Sequence, residues 1–332
     1  MSYFRSSSGG RKNQKGDFMR KRKRLWVLIC TLALVSSLIG CGTKKQEEDT
    51  NTTAKGTTKY PVTVTGSDKA ELTLEKEPQK IVSVAPNITE IIYSLDAQNK
   101  LVGRTDYCDY PTEVSEVESI GPLYPLDVEK VISLSPDLVI GSAHFDEESK
   151  KKLEELNIPV LYLYEEHSVE GVYTIIQTLG TVLNSSEKAS EVVEEMKQKL
   201  DQVKEKIDSL DPVDVYYVVG FGEGGEFTAG GDTFIHDILT LAGGKNIADD
   251  VFGWSYSLEK LIEKDPTVIL LPSYFYDSFI TTEPYSNLTA VKNNRVYVID
   301  ENKLSRQCAR NADIVLEIAN LLYPDIFEQK DQ

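Results

Sequence analysis

Aromatic side chains recur where the chain passes through Gly-, Ser- or Pro-flanked segments: Tyr107 and Tyr110, Tyr124, Phe221 and Phe227, Trp254 and Tyr256, and Tyr274-Phe-Tyr-Asp-Ser-Phe279. In loops of this kind rings are free to face a ligand, and a rigid aromatic lining suits a large, flat, partly apolar molecule. Arg306 adds a guanidinium for a carboxylate, phosphate or amide edge, with a surface ion pair as its plainer use. His144 follows a predicted strand and would face the same loops, either as an axial ligand to a bound metal or as a polar loop residue. Cys108 and Cys308 could pair, ligate a metal or remain small buried thiols, the last being the ordinary state of such residues. Acid–base and nucleophilic chemistry are poorly served. The three histidines are scattered, and the chain carries no G-x-S-x-G, H-E-x-x-H or Walker A lysine. The residues therefore describe a binding protein and not an enzyme, with no resident cofactor. Gly220-Phe-Gly-Glu-Gly-Gly225 satisfies G-x-G-x-x-G, but Glu226 to Gly231 continues as turn or short strand and a helix starts only near Thr233. That order does not suit a dinucleotide; the glycines let backbone approach neighbouring loops.

Two further residues stand out by position. Val128-Glu-Lys-Val-Ile-Ser-Leu-Ser-Pro-Asp-Leu-Val-Ile140 lies over Leu258-Glu-Lys-Leu-Ile-Glu-Lys-Asp-Pro-Thr-Val-Ile-Leu270 at a constant offset of 130, so Glu129 matches Glu259. Each glutamate opens a predicted helix, where the macrodipole favours an acid. The repeat also makes them equivalent across two halves.

The elements that would position these residues follow from the apolar pattern. Val62–Thr65 and Glu71–Leu74 alternate as a hairpin, and Lys80–Val84, Leu101–Gly103, Asp137–Ile140 and Pro159–Leu163 read as strands with helical stretches between them. Asn87 and Glu90 have the spacing of a capping box at the start of the first helix. The second half repeats the plan with strands at Val213–Val219, Thr267–Leu271 and Arg295–Ile299 and helices at Thr233–Leu241 and Asp313–Leu322. Strands alternating with helices imply parallel sheets. Between the halves Ala189, Val193, Met196, Leu200, Val203, Ile207 and Leu210 step by four and three. We read one amphipathic helix, about 37 Å long at 1.5 Å per residue, in preference to a short coiled coil. The fold class is α/β: two similar lobes joined by one long helix. The expected organisation is a signal peptide at 1–40, a tether at 41–59, an N-terminal lobe at 60–184, the linking helix at 185–210 and a C-terminal lobe at 211–332.

Charge separates the first segment from the rest. The chain has 332 residues and a net charge of −17, yet residues 1–40 hold nine basic groups and one acid, which leaves 27 basic and 52 acidic groups, or −25, beyond them. So acidic a body argues against nucleic-acid binding. Arg20 to Arg24 is a basic block followed by 15 uncharged residues, Leu25 to Ile39. That run falls short of the roughly 20 residues of a membrane span and reads as a secretory signal. Translation starting at Met19 would give the signal normal proportions. Leu38-Ile39-Gly40-Cys41 matches a bacterial lipobox, so Cys41 is the expected lipidation site, with an ordinary cleavage site or an uncleaved anchor as the alternatives. The polar segment 42–59 cannot bury enough apolar surface to order itself and would act as the tether.

The segments Ile81-Val-Ser-Val-Ala-Pro-Asn-Ile-Thr-Glu90, Val102-Gly-Arg-Thr-Asp-Tyr-Cys-Asp-Tyr-Pro111, those around Glu129 and Glu259, and Leu241-Ala-Gly-Gly-Lys-Asn-Ile247 resemble the extracytoplasmic solute-binding proteins of ABC importers for vitamin B12, haem and ferric siderophores. The resemblance covers roughly residues 78–325. It implies two lobes on a rigid helix with the ligand cleft between them, a transported cobalt or iron chelate, and a permease dimer with ATPase subunits as partner; with Cys41 lipidated, the protein would be a monomer anchored at the outer face of the cell membrane. Tyr107-Cys-Asp-Tyr-Pro111 looks most like the vitamin B12 binders, in which the aromatic at the position of Tyr107 packs on the ligand. On the reading of the aromatic loops given above, Tyr124, Phe227, Trp254, Tyr274 and Arg306 would contact such a ligand, a corrin or porphyrin. Glu129 and Glu259 would dock onto permease arginines. Arg306-Gln-Cys-Ala-Arg310 stands where many members have Arg-x-Gly-Pro-Arg, so Cys308 and Ala309 depart from the pattern, and no tryptophan stands near Leu123 as it does in some B12 binders.

Overall fold

The computed structural model describes residues 57–165 and 167–327; Cys41, the signal segment and most of the tether lie outside them. A hairpin of β1 (Val62–Thr65) and β2 (Glu71–Leu74) leads into β3 (Ile81–Ser83), α1 (Pro86–Ser94), β4 (Leu101–Arg104), α2 (Val128–Ser133), β5 (Leu138–Gly141), α3 (Glu147–Glu155), β6 (Val160–Tyr162) and α4 (Val169–Val182). The long helix α5 (Ser186–Ile207) follows. The second lobe comprises β7 (Val213–Tyr217), β8 (Glu226–Phe227), α6 (Phe234–Leu241), β9 (Gly244–Asn246), β10 (Ser255–Tyr256), α7 (Leu258–Lys264) and β11 (Val268–Leu271). It closes with α8 (Tyr276–Thr281), α9 (Thr289–Lys292), β12 (Val296–Val298), α10 (Glu301–Ser305), α11 (Asn311–Leu322) and α12 (Pro324–Phe327).

The duplication read from the residue letters is a duplication of topology. One sheet has the order β4-β3-β5-β6 and the other β9-β7-β11-β12. In both, the first strand of the sheet in chain order sits between the second and the third, and every pairing within these two sheets is parallel. Short β-branched runs such as Val268-Ile-Leu-Leu271 form the central strands because both faces are covered and every side chain can be apolar.

The strand period of two decides which side chain enters which core. Ile81, Leu138 and Ile140 from the first sheet and Val215, Tyr217, Val268 and Leu270 from the second enter one shared cluster. Val82 and Val139 enter a cluster private to the first lobe, and Tyr216, Val218, Ile269 and Leu271 one private to the second. Helices α1, α4, α5, α6 and α11 all contribute to the shared core. On α5 the buried residues are Ala189, Val192, Val193, Met196 and Val203, with Leu200 and Ile207 partly buried against the same core; the helix ends at Ile207, so Leu210 of the expected stripe lies beyond it. At Gly180 on α4 an added Cβ would stand 2.4 Å from the Ala189 Cβ, so the glycine sets how closely α4 and α5 approach.

One expected detail is corrected. Asn87 does not cap α1: the N-cap is Ala85, Pro86 occupies the first turn, and no side chain caps the helix. Asn87 is buried and its amide donates to Ser142 Oγ at 3.1 Å, while Glu90 points elsewhere. Pro86 takes the first helical position, where its missing N–H leaves one fewer donor to satisfy.

Because the two lobes share one core, they should unfold together. Met196→Ala, at the centre of α5, is expected to cost about 2–5 kcal/mol. Calorimetry should still show one transition; two resolved transitions would mean that the lobes are energetically separate.

Candidate functional site

A cavity of about 1120 Å³ lies between the lobes. That is at or above the upper end of the roughly 300–1,000 Å³ usual for small-molecule sites. From the first lobe it is lined by Ala85, Pro86 and Asn87 after β3, Tyr107 after β4, Tyr124 ahead of α2, and Ser142 to Asp146 after β5. From the second lobe come Asp232 to Ile235 at the start of α6, Gly253 and Trp254, and Asn302, Ser305, Arg306 and Gln307. β3 and β5 are the neighbouring strands from which the connections run to opposite sides, so the cavity sits at the carboxyl-end crevice of the first sheet.

Backbone bonds hold the rings at its mouth. Gly230 N–H donates to Gly253 O and Gly231 N–H to Val251 O, each at 2.9 Å. A Cβ at Gly230 would come within 2.4 Å of Val251 O and one at Gly231 within 2.2 Å of Asp249 O, so only glycine lets the Trp254 loop lie this close. Asp232 Oδ1 accepts from Gly253 N–H at 2.7 Å and fixes the same turn. On the other lobe Asp106 N–H donates to Gly121 O at 2.9 Å, tying the Tyr107 loop to the segment that carries Tyr124. Tyr107, Tyr124 and Trp254 are all exposed. His144 also lines the cavity, with a left-handed backbone at φ 67°, a conformation uncommon outside glycine.

Phe227 and Tyr274 stand apart from this lining. Phe227 belongs to β8, where its N–H donates to Gly220 O at 2.9 Å. The Tyr274 ring lies edge-on to Phe275 at 4.5 Å and its hydroxyl donates to Glu301 Oε2 at 2.9 Å. Burial and then that carboxylate push its pKa up to about 12. Phe221 is core packing among Phe275, Phe279 and Tyr285. Gly222 and Gly225 take φ of 87° and 101° around a short 3-10 turn, and no α-helix opens there.

Arg306 lines the cavity, but its guanidinium is engaged. Nη1 meets Glu90 Oε1 at 3.0 Å and Asp109 Oδ1 at 2.5 Å, and Nη2 donates to Tyr107 O at 3.2 Å. Glu90, from α1 of the opposite lobe, is the centre of a larger arrangement. Arg310 grips it with Nε to Oε2 at 2.7 Å and Nη2 to Oε1 at 2.6 Å, and the Cys308 thiol donates to Oε2 at 3.0 Å. The Arg310 guanidinium also stacks 4.0 Å from the Tyr110 ring centre. Burial disfavours both guanidinium charges, yet their carboxylate partners outweigh it and push both pKa values up. Burial and the Glu90 charge push the Cys308 thiol up, and burial does the same for Cys108. Both cysteines are free and buried. Gln307 and Glu165 exchange amide and backbone bonds, and Val169 N–H donates to Asp237 Oδ2 at 2.7 Å, adding further ties between the lobes.

Glu129 and Glu259 occupy matching places, each the second residue of its helix behind the N-caps Asp127 and Ser257. Both are exposed. Ser257 Oγ donates to Glu259 Oε2 at 2.7 Å and holds that carboxyl below its ordinary range.

Glu90→Gln would leave two guanidiniums with an amide in place of their buried counter-charge. Breaking such a pair costs on the order of 3–5 kcal/mol, to be read by urea unfolding; a loss below about 1 kcal/mol would show the bridge to be incidental. Burial opposes ionisation of Asp109 but Arg306 outweighs it, so its carboxyl lies below the ordinary range. Its share of the bridge is therefore complete above about pH 4 and is lost as pH falls through the lowered value.

Comparison with known proteins agrees with this geometry. Residues 81–303 match the family described as periplasmic binding protein. An ABC transporter substrate-binding lipoprotein of Bacillus subtilis (strain 168), YvrC, is 33% identical over 318 residues, covering 94% of this chain and 100% of that protein. A vitamin B12-binding protein of Vibrio campbellii is 27% identical over 244 residues, 72% of this chain and 88% of its own. The fold is shared with the apo periplasmic haem-binding protein RhuT of Roseiflexus, at a TM-score of 0.68 and 21% identity over 74% of this chain and 98% of that one. The chain thus belongs to the periplasmic binding protein family, whose members include an ABC transporter substrate-binding lipoprotein similar to it along nearly its whole length.

Proposed function

We propose that the chain captures a neutral corrinoid, cobalamin in the first instance, outside the cell and delivers it to the permease dimer of an ABC importer driven by its ATPase subunits. The observation that carries this is the cavity's combination of exposed rings with compensated charge. Among the described residues no lysine lines it, Arg306 is countered by Glu90 and Asp109, and Asp146 and Asp232 are acidic. An anionic ferric siderophore, or the propionates of haem, would meet no unpaired cation there. An amide-fringed neutral ring would meet Asn87, Ser142, Asn302 and Ser305 along its edge and Tyr107, Tyr124 and Trp254 on its faces. The relative named as a vitamin B12-binding protein supports the same choice. Haem is the second reading, favoured by His144 in the lining, which would then be axial to the iron.

Absorbance titration with cyanocobalamin, haemin and ferric catecholate and hydroxamate chelates tests this. One equivalent of cyanocobalamin should bind, and Trp254→Ala should weaken it roughly 10- to 100-fold. Preferential binding of haemin, abolished by His144→Ala, would replace the corrinoid reading with the haem one. Binding of the ferric chelates alone would remove both.

Lipidated Cys41 and the tether would keep the protein at the outer face of the cell membrane. Glu129 and Glu259, one on each lobe at equivalent positions, would meet arginines of the two permease subunits. The Glu129→Lys, Glu259→Lys double variant should lose uptake of cyanocobalamin while keeping its affinity for it; unchanged uptake would refute the docking role.

A further inference from the structure

The face that carries each glutamate repeats more than the glutamate. On α2 the buried residue is Val131, and on α7 it is Leu261, the same position at the offset of 130. One residue on, Ile132 is 36% and Ile262 47% exposed. Isoleucines scattered singly on a surface carry no message, but these two are equivalent in the duplicated fold. Each lies three residues after its glutamate, so that acid and isoleucine share one helix face. The lysine between them is drawn aside in both lobes: Lys130 Nζ bonds Glu118 Oε1 at 2.5 Å, and Lys260 Nζ bonds Asp250 Oδ2 at 3.2 Å. The lysine partners differ in sequence position and in residue type, yet the outcome is the same. Each lobe presents an acid without a cationic partner among the described residues, beside an uncovered apolar side chain.

We propose that Ile132 and Ile262 are paired apolar anchors of the docking surface, each entering a hollow beside the basic group that meets Glu129 or Glu259. The occupant is the two-fold symmetric permease dimer. The patches are acidic, so the partner surface is basic, and they are duplicated by the fold's own repeat, so the partner must present one complementary site twice. The proposal rests on the docking reading given above. It adds an apolar contact that excludes water from each charge pair and so strengthens it.

The test measures binding of the full chain to its own permease–ATPase complex in lipid nanodiscs. Ile132→Ser and Ile262→Ser should each weaken docking roughly tenfold, and the double variant about a hundredfold. Cyanocobalamin affinity and melting temperature should stay unchanged. Ile→Gln versions replace any serine variant that melts early. Leu156→Ser, an exposed apolar residue at the end of α3, should dock as the parent does. Double isoleucine variants that dock within twofold of the parent would overturn the proposal. The Glu129→Lys, Glu259→Lys variant measured alongside separates the two ideas. Loss with the lysines alone removes the anchors and keeps the charge pairs, loss with the serines alone does the reverse, and loss with neither removes this face from docking.

Discussion

Each central sheet of this protein has two apolar faces, and one face from each is buried in the same core. That constraint sets everything else. Residues alternating along β3, β5, β7 and β11 divide between the shared cluster and the two private ones. Helix α5 packs its stripe into the shared cluster together with α4 from one lobe and α11 from the other. Separating the lobes would expose that apolar surface to water, at roughly 25 cal/mol for each Å². The shared core thus ties the two lobes to one another behind the cavity that lies between them.

The bridge centred on Glu90 acts on the same frame from the cleft side. A buried carboxylate held by two guanidiniums and a thiol contributes little net stability compared with apolar packing, but it is costly to break. Its geometric consequence is larger than its energetic one. Arg306 lines the cleft with its charge already matched by Glu90 and Asp109, beside exposed rings, neutral hydrogen-bonding groups and the carboxyls of Asp146 and Asp232. The same contact ties α1 to the loop after α10.

Much of this was legible from residue order because the features are local or periodic. The alternating strands, the stripe on α5 and the repeat at an offset of 130 needed no knowledge of partners in space. The matching strand order of the two sheets is what such a repeat implies, and Tyr107, Tyr124, Trp254, His144 and Arg306 converge on one cavity as loops at strand ends should. Glu90 was not legible. Its spacing from Asn87 imitates a capping box, whereas its partners lie 216 to 220 residues away, and only the folded arrangement brings them together. Phe227 and Tyr274 share the loop setting of the other rings but lie outside the cavity lining, Phe227 in β8 paired to β10 and Tyr274 with its hydroxyl on Glu301.

The central claim is that a charge-compensated cleft holds a neutral ring compound without rearranging the bridge beneath it. A crystal structure of the full chain grown with cyanocobalamin tests it most directly. The account expects the corrin between Tyr107, Tyr124 and Trp254, with Glu90 still gripped by Arg306 and Arg310 and the lobes in their present relation. A ligand bound outside this cavity, or an Arg306 released from Glu90 and Asp109 to meet it, would contradict the account.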